Sequence, residues 1–565
     1  MKVSPENYSK KIVLFRYVVE VLLLMGVVCM VLLPSLYPFT FILLKWNEIY
    51  IEIFNNPLIG SAYWNEIQRS LFLSFRTAFL AVVIDLLIGI PVAFLIARGS
   101  IRGRSLIEEI STLPLVIPTS GFGFAMLAAW TASESLPAKL GIRIEMGSML
   151  PFFNVPILVL LVHVALTFPY VVKTVTAALE DMQRSYEIVS ESLGASSLTT
   201  FRKIVLPLIA PAVTSGGVLA FIRSLGETGA TMVVAGVSTT APIAIVKWVS
   251  ENRIAPAAFL SGILVALALL LIVPIEYFST RKRKGELRLF AKTMDELLIK
   301  IEKNMGKRAS ILRDLSSLFL LTLIVVLPLA TLFYNVFVYW SADPYTGRYE
   351  ESILYQLFGP SAYFNSILKA VLNSFVVALI STLVSLYLGS LLVIFIVKSP
   401  YGAILRTFLK IPLVVPTSSL GLSMILLWGS FGLNVVKPSI WLIILTHIVF
   451  SVPVIVETGL ASYKSIGVEI YEDTARTLGA TPYDVAESIS LPLIKRGLIA
   501  GSILAFTHSL GETGATFLVM GEDFTVSTLV VSMVESLAIP AALFASALLI
   551  LLSIILVVLI HMLEK

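Results

Sequence analysis

The sequence predicts an all-α integral membrane protein with about twelve transmembrane helices, built as two parallel six-helix repeats. Three observations carry this prediction: the apolar composition, a long internal repeat and the placement of the basic residues. Of 565 residues, 57% are hydrophobic and 14% charged, with a mean hydropathy of +0.92. Soluble domains keep about a quarter of their residues charged, so this chain is too poor in charge to be one. A helix crosses the hydrocarbon layer in roughly 20 apolar residues. Twelve such stretches are centred near residues 24, 84, 122, 160, 214, 267, 324, 382, 420, 446, 500 and 550.

The repeat has a period near 290 residues, and it decides the architecture. Tyr63, Trp64 and Asn65 are answered by Tyr363, Phe364 and Asn365 at an offset of 300. PLVIPTS at 114–120 is answered by PLVVPTS at 412–418, and His163 with Pro169 by His447 with Pro453, at offsets of 298 and 284. From Tyr186/Tyr471 to Thr231/Thr516 the offset is a constant 285, and SLGETGAT occurs unchanged at 224–231 and 509–516. The change of offset after the PTS runs places an insertion of about a dozen residues near 131–150, in an external loop of half one, where length changes are tolerated. Six spans per half keep both halves in one orientation. A pseudo-two-fold axis along the membrane normal follows, and its interface is the natural place for a central pathway.

Charge sets the orientation. Lys2, Lys10, Lys11, Arg98, Arg102, Arg104, Arg202, Lys203 and the RKRK at 281–284 fall on the N-terminus or on even-numbered connections. The positive-inside rule makes those cytoplasmic, with both termini in the cytosol and the chain a multi-pass protein of the cell (inner) membrane. The basic stretch 281–313 interleaves Glu286, Asp295, Glu296 and Glu302 and joins two membrane halves. It reads as a partly helical cytoplasmic linker between halves 1–280 and 314–565, with no nucleic-acid partner. The first apolar run follows Lys10, Lys11 and Arg16 but shows no small-residue cleavage site, so it is read as a retained helix. The single cysteine, Cys29, can form neither an internal disulfide nor a Cys-rich metal site.

Between the fourth and fifth spans of each half lies a polar stretch, YEIVSESLGASSLTTFRKIVLPL at 186–208 and YEDTARTLGATPYDVAESISLPL at 471–493. Glycine supplies a sharp turn between two short helices, and Pro207 or Pro492 stands where a new helix can begin without its N–H. The product is a stiff bracket facing the cytosol. These stretches resemble the EAA loop of ABC importer permeases, in which a Glu-Ala-Ala, a glycine and a later Leu-Pro form the helix that seats in a groove of the ATPase subunit.

The resemblance covers nearly the whole chain as two fused copies and implies a type I ABC importer permease fold. It implies coupling loops at 180–206 and 465–491, with Asp473, Thr474, Ala475 and Gly479 at the motif positions of half two and Ile188, Val189, Ser190 and Gly194 in half one. Ala195 and Ala480 follow the glycines, and Glu187 and Glu472 precede the motif in both copies. Half one has no acid at the first motif position, so an ion pair that relatives make there is expected to be missing or shifted. No GxxxxGK[ST] loop occurs, and Gly306-Lys307-Arg308 lacks the hydroxyl residue and the earlier glycine. The chain is therefore expected to be a transport subunit, not an enzyme, with no cofactor or metal of its own. ATP and Mg would be handled by a separate cytoplasmic ATPase in two copies, and substrate would come from an external binding protein.

Buried polar groups mark the candidate pathway. Arg223 and Glu227 are four residues apart, as are His508 and Glu512, so each pair stacks on one helix face. Such pairs either support the bundle or line a passage. Gly226, Gly229, Gly511 and Gly514 would let helices approach closely. Pro118, Thr119, Ser120, Pro416, Thr417 and Ser418 put broken backbone near the start of each third span, where hydroxyls can satisfy freed carbonyls. Thr228 and Thr513 complete the set. His163 and His447 read as core histidines bonded to carbonyls, since two isolated histidines make no metal site. Asp85 has no acidic counterpart in half two and is left unassigned.

Within the permeases, LPLVIPTS together with SLGETGATMVVAG most resembles the molybdate, tungstate and sulfate branch, which implies a small oxyanion cargo. Hydroxyls, glycine N–H groups and Arg223 suit a dianion, whereas Glu227 and Glu512 oppose one unless their neighbours neutralise them. The fused architecture is also similar to ferric iron and thiamine permeases. An ion-driven secondary transporter, which shares paired repeats and broken helices, is the rival class, and a non-transporting membrane scaffold a third.

Overall fold

The computed structural model describes residues 5–99, 103–280 and 292–564. Lys2, Arg102, Glu286 and the RKRK at 281–284 lie outside the described residues, as do the side chains of Lys10, Lys11, Arg16 and Asp295. Helices dominate because backbone polar groups in hydrocarbon must be satisfied within the segment. Among the described residues ten helices are long and apolar enough to cross a membrane, or twelve if each of two bent pairs is one span. Half one contributes Pro5–Leu44, Gly60–Arg98, Thr119–Thr131, Ile157–Asp181, Ser197–Leu225 and Ile254–Thr280. Half two contributes Ile311–Val338, Tyr363–Lys398, Thr417–Trp428, Ile440–Ile466, Pro482–Gly511 and Ile539–Glu564. Every predicted span centre falls on one of these.

The third spans are broken more sharply than a proline kink requires. The helix before each meets it at 105° in half one and 103° in half two. Pro118 (ψ 131°) and Pro416 (ψ 136°) are extended and cap the helices that start at Thr119 and Thr417. A proline has no N–H to lose at such a start.

Pro207 and Pro492 behave differently from the expectation. No new helix begins there, because the fifth spans run unbroken from Ser197 and Pro482. A π-helical turn, Phe201–Val205 or Ala486–Ser490, stands just before each proline. The wider turn makes room for the ring and the missing hydrogen bond. The same device, Thr322–Val326, precedes Pro328.

The fifth spans end inside SLGETGAT, at Leu225 and Gly511, and the chain restarts as the short helices Gly229–Val234 and Gly514–Val519. Glu227 and Glu512 therefore lie past the helix ends, in the breaks, and do not stack on one continuous helix face as the four-residue spacing suggests. Ala241–Ser250 and Val526–Glu535 then lead to the sixth spans.

Among the described residues two hydrophobic cores form, and each mixes both halves. One joins Phe122, Phe124 and Phe168 to Leu332, Val530 and Ile550. The other joins Leu422, Met424 and Phe450 to Val31, Trp248 and Leu260. The first and last spans of each half pack against the third span of the other, so the halves brace one another. The extra length in half one forms a hairpin, Met149–Leu150 paired antiparallel with Val155–Pro156. Arg76 donates to the Phe153 carbonyl at its tip (3.2 Å).

Candidate functional site

The two SLGETGAT motifs meet in the middle of the bundle, each buried and each touching the other half. A β-carbon built on Gly229 would stand 2.5 Å from Thr513 Cβ and 2.7 Å from Thr119 Oγ1; one on Gly514 would stand 2.7 Å from Thr228 Cβ and 2.6 Å from Thr417 Oγ1. Gly226 lies against Pro416, and Gly511 against Pro118. Glycine is required here by close approach, and the two halves pack tightly against each other at this level.

Each motif is held by a histidine from the fourth span of its own half. His163 Nδ1 meets Ser224 Oγ at 2.7 Å and Nε2 meets Thr231 Oγ1 at 3.0 Å; His447 repeats this with Ser509 (2.6 Å) and Thr516 (2.9 Å). The ring thus spans the first and last hydroxyls of the motif and fixes the width of the break. Thr231 Oγ1 also donates to the Glu227 carbonyl (3.3 Å), which assigns the Nε2–H tautomer to His163. These histidines bond to hydroxyls, contrary to the carbonyl partners expected from the sequence. Their shared place in the repeat was the signal that they serve the motif.

The glutamates cap the short helices. Glu227 Oε1 accepts from the Ala230 N–H and Glu512 Oε1 from the Ala515 N–H, both at 3.0 Å. Each carboxyl oxygen thus satisfies an N–H left free at the start of a helix. Glu227 Oε2 also pairs with Arg223 at 2.7 Å, whereas His508 stands 3.7 Å from Glu512. A cavity of about 50 Å³ opens beside the motifs, on the side of the brackets, and Thr119, Tyr170, Arg223, His508 and Glu512 line it. Arg223 and Tyr170 thus face the same cavity. The Ser120 and Ser418 hydroxyls are buried and make no hydrogen bond, so they do not satisfy the carbonyls freed by the prolines.

At the far end of the fifth spans stand the two brackets, Ser185–Ser192 with Ser197–Thr200 and Val468–Thr477 with Pro482–Val485. Gly194 (φ +89°) and Gly479 (φ +92°) take the left-handed conformation between their helices. The next amide closes each turn: Ala195 donates to the Ser190 carbonyl (3.2 Å) and Ala480 to the Ala475 carbonyl (3.0 Å), a Schellman cap. Ser190 Oγ also meets Thr200 Oγ1 at 2.9 Å. Leu193 and Leu478 point outward, 84% and 85% exposed, and Asp473 is exposed too.

The ion pair that the missing acid put in doubt is present in both halves, one residue earlier. Glu187 accepts from Arg98 Nε at 2.8 Å, and Arg98 also reaches the Leu179 and Met182 carbonyls. Glu472, buried, pairs with Lys398 and accepts from Ser490. Arg98 and Lys398 end the second spans at matching places, 300 residues apart, and that match was the available signal.

A duplicated helical bundle, packed around a buried polar motif and carrying a bracket at one end of each half, is the architecture of a membrane permease. The chain belongs to the ABC permease family described as the binding-protein-dependent transport system inner membrane component, whose model matches residues 86–284. It is similar to the sulfate transport system permease protein CysT of Salmonella typhimurium, at 29% identity over 266 residues, covering 45% of this chain and 89% of that protein. It is also similar to the molybdenum transport system permease protein ModB of Mycobacterium bovis, at 35% identity over 215 residues, covering 37% of this chain and 78% of that protein. The probable sulfate transport system permease protein cysT of Chlorella vulgaris is 27% identical over 247 residues, covering 42% and 86%.

Proposed function

We propose that this chain is the translocating subunit of an ATP-driven importer that carries a small tetrahedral oxyanion, sulfate, molybdate or tungstate, handed over by an external binding protein. One chain supplies both halves, its termini lie in the cytosol, and two copies of a separate ATPase dock on the brackets and handle ATP and Mg. The single observation that carries the reading is the pair of matched brackets, each tied to its second span by a carboxylate–cation bond and each presenting a bare leucine. Nothing in a secondary transporter calls for two such docking knobs.

In this mechanism ATP binding closes the ATPase pair and draws the brackets together. The Arg98–Glu187 and Lys398–Glu472 bonds pass the movement to the second spans, and the halves rock apart at the SLGETGAT contacts. Arg223, Tyr170, Thr119 and His508 offer donors to an anion in the cavity beside the gate. Glu227 neutralises Arg223 while the gate is shut, so an incoming dianion takes the place of that carboxylate on the guanidinium. The test is uptake into liposomes holding the chain, its ATPase and its binding protein, with sulfate, molybdate, tungstate, ferric iron and thiamine supplied in turn. Stimulation of ATP hydrolysis and uptake by one of the oxyanions is expected. A response to iron or thiamine alone would leave the importer standing and remove the oxyanion.

A further inference from the structure

We propose that Glu302, on the helix joining the two halves, positions the half-one bracket, so that the two brackets are mechanically unequal; this rests on the coupling role proposed above. The helix Lys292–Leu321 passes through the π turn Thr322–Val326 into Leu327–Val338 without a break. From Lys292 onward the chain and the first span of half two are thus one rod.

Glu302 is 9% exposed and makes a three-point contact with the root of the half-one bracket. Its Oε1 accepts from Arg202 Nε (2.6 Å), and its Oε2 accepts from Thr199 Oγ1 (2.7 Å) and from the second guanidinium arm of Arg202 (3.2 Å). A forked guanidinium on a carboxylate fixes direction as well as distance. Farther along the rod, the Arg313 guanidinium lies over the Phe94 ring of the second span, 4.5 Å from its centre. The rod then packs against the third span of half one, whose first residue, Thr119, touches Gly229.

The duplication supplies the control. At the constant offset of 285, Thr199 corresponds to Asp484 and Arg202 to Glu487. Both are exposed acids, and Asp484 accepts from Thr481 in a capping box. A glutamate would be repelled where half one binds one. The half-one bracket is therefore held to a strut that reaches the gate, while the half-two bracket lacks the residues for an equivalent grip.

The test compares Glu302→Gln, and the exchanged pair Arg202→Glu with Glu302→Arg, against the unaltered full chain. Amide hydrogen exchange is followed over 194–205 and over 479–490. Glu302→Gln is expected to speed exchange in the first segment roughly tenfold, to leave the second unchanged, and to be reversed by the exchanged pair. Unchanged exchange at 194–205, or equal acceleration of both segments, would overturn the clamp. In liposomes with the ATPase, the binding protein and molybdate or sulfate, Glu302→Gln is expected to raise the ATP hydrolysed per anion imported several-fold while the ATPase still co-purifies. Faster exchange with an unchanged ratio would reduce Glu302 to a structural contact and end the positioning role. Failure of the unaltered chain to retain any ATPase would instead overturn the coupling reading beneath it, which the co-purification detects on its own.

Discussion

Gly511 of half two lies on Pro118 of half one, so close that a β-carbon there would stand 2.8 Å from Pro118 Cα; Gly226 and Pro416 repeat the contact at 3.1 Å. The two halves thus lean on each other through a glycine in one and a helix-capping proline in the other. Because the opposing atom is backbone, Gly511→Ala cannot be absorbed by a side-chain rotation. About 1–3 kcal/mol of destabilisation is expected from overpacking, read as a lower thermal unfolding midpoint in detergent. Gly226→Ala, with the longer distance, is expected to be milder, and a reversed order would show that the contacts are not set as described.

Removing the histidine clamp exposes a second dependence. His163→Ala leaves Ser224 and Thr231, 2% and 0% exposed, without their shared partner, at an expected loss of about 1–3 kcal/mol. His447→Ala is expected to lose a similar amount. Unfolding midpoints of the two variants decide this: a large loss in one and none in the other would deny the motifs equal support.

At the brackets, conformation and not crowding requires glycine. A β-carbon on Gly194 or Gly479 would meet nothing within 4 Å, yet both have φ near +90°. Gly194→Asn is therefore expected to retain more uptake than Gly194→Val, because asparagine tolerates the left-handed region and a β-branched residue does not. Transport by Gly194→Val at the unaltered rate would remove the bracket from the mechanism.

The ion pairs give the complementary case. Glu187→Gln and Glu472→Gln are each expected to cut uptake several-fold, as the charged partner loses its carboxylate, while the ATPase, docking on the outward face, still co-purifies. Loss of the ATPase from either variant would show that the glutamate serves docking itself and not the link to the second span.

Much of this was legible in the sequence because it was written twice. The membrane spans follow from runs of apolar residues, and the breaks from PLVIPTS, PLVVPTS and the glycines of SLGETGAT. What remained hidden depends on distance between elements. The spacing of Arg223 and Glu227 suggested a helix face, whereas the helix stops at Leu225, because spacing does not say where a helix ends. Proximity alone suggests Ser120 and Ser418 as carbonyl partners, yet their hydroxyls make no hydrogen bond. Pro207 and Pro492 looked like helix starts, since a π turn leaves no mark that composition can show. Glu302 was visible only as one charge in a mixed linker, and its partner lies 100 residues away.

The brackets are expected to move together when the ATPase closes. This movement is tested most directly by the distance between spin labels at Leu193→Cys and Leu478→Cys, in a Cys29→Ser background, measured in the assembled transporter without nucleotide and with bound ATP. A clearly shorter distance with ATP, matched by uptake, is the predicted result. An unchanged distance in a preparation that still imports its cargo on ATP hydrolysis would contradict the account.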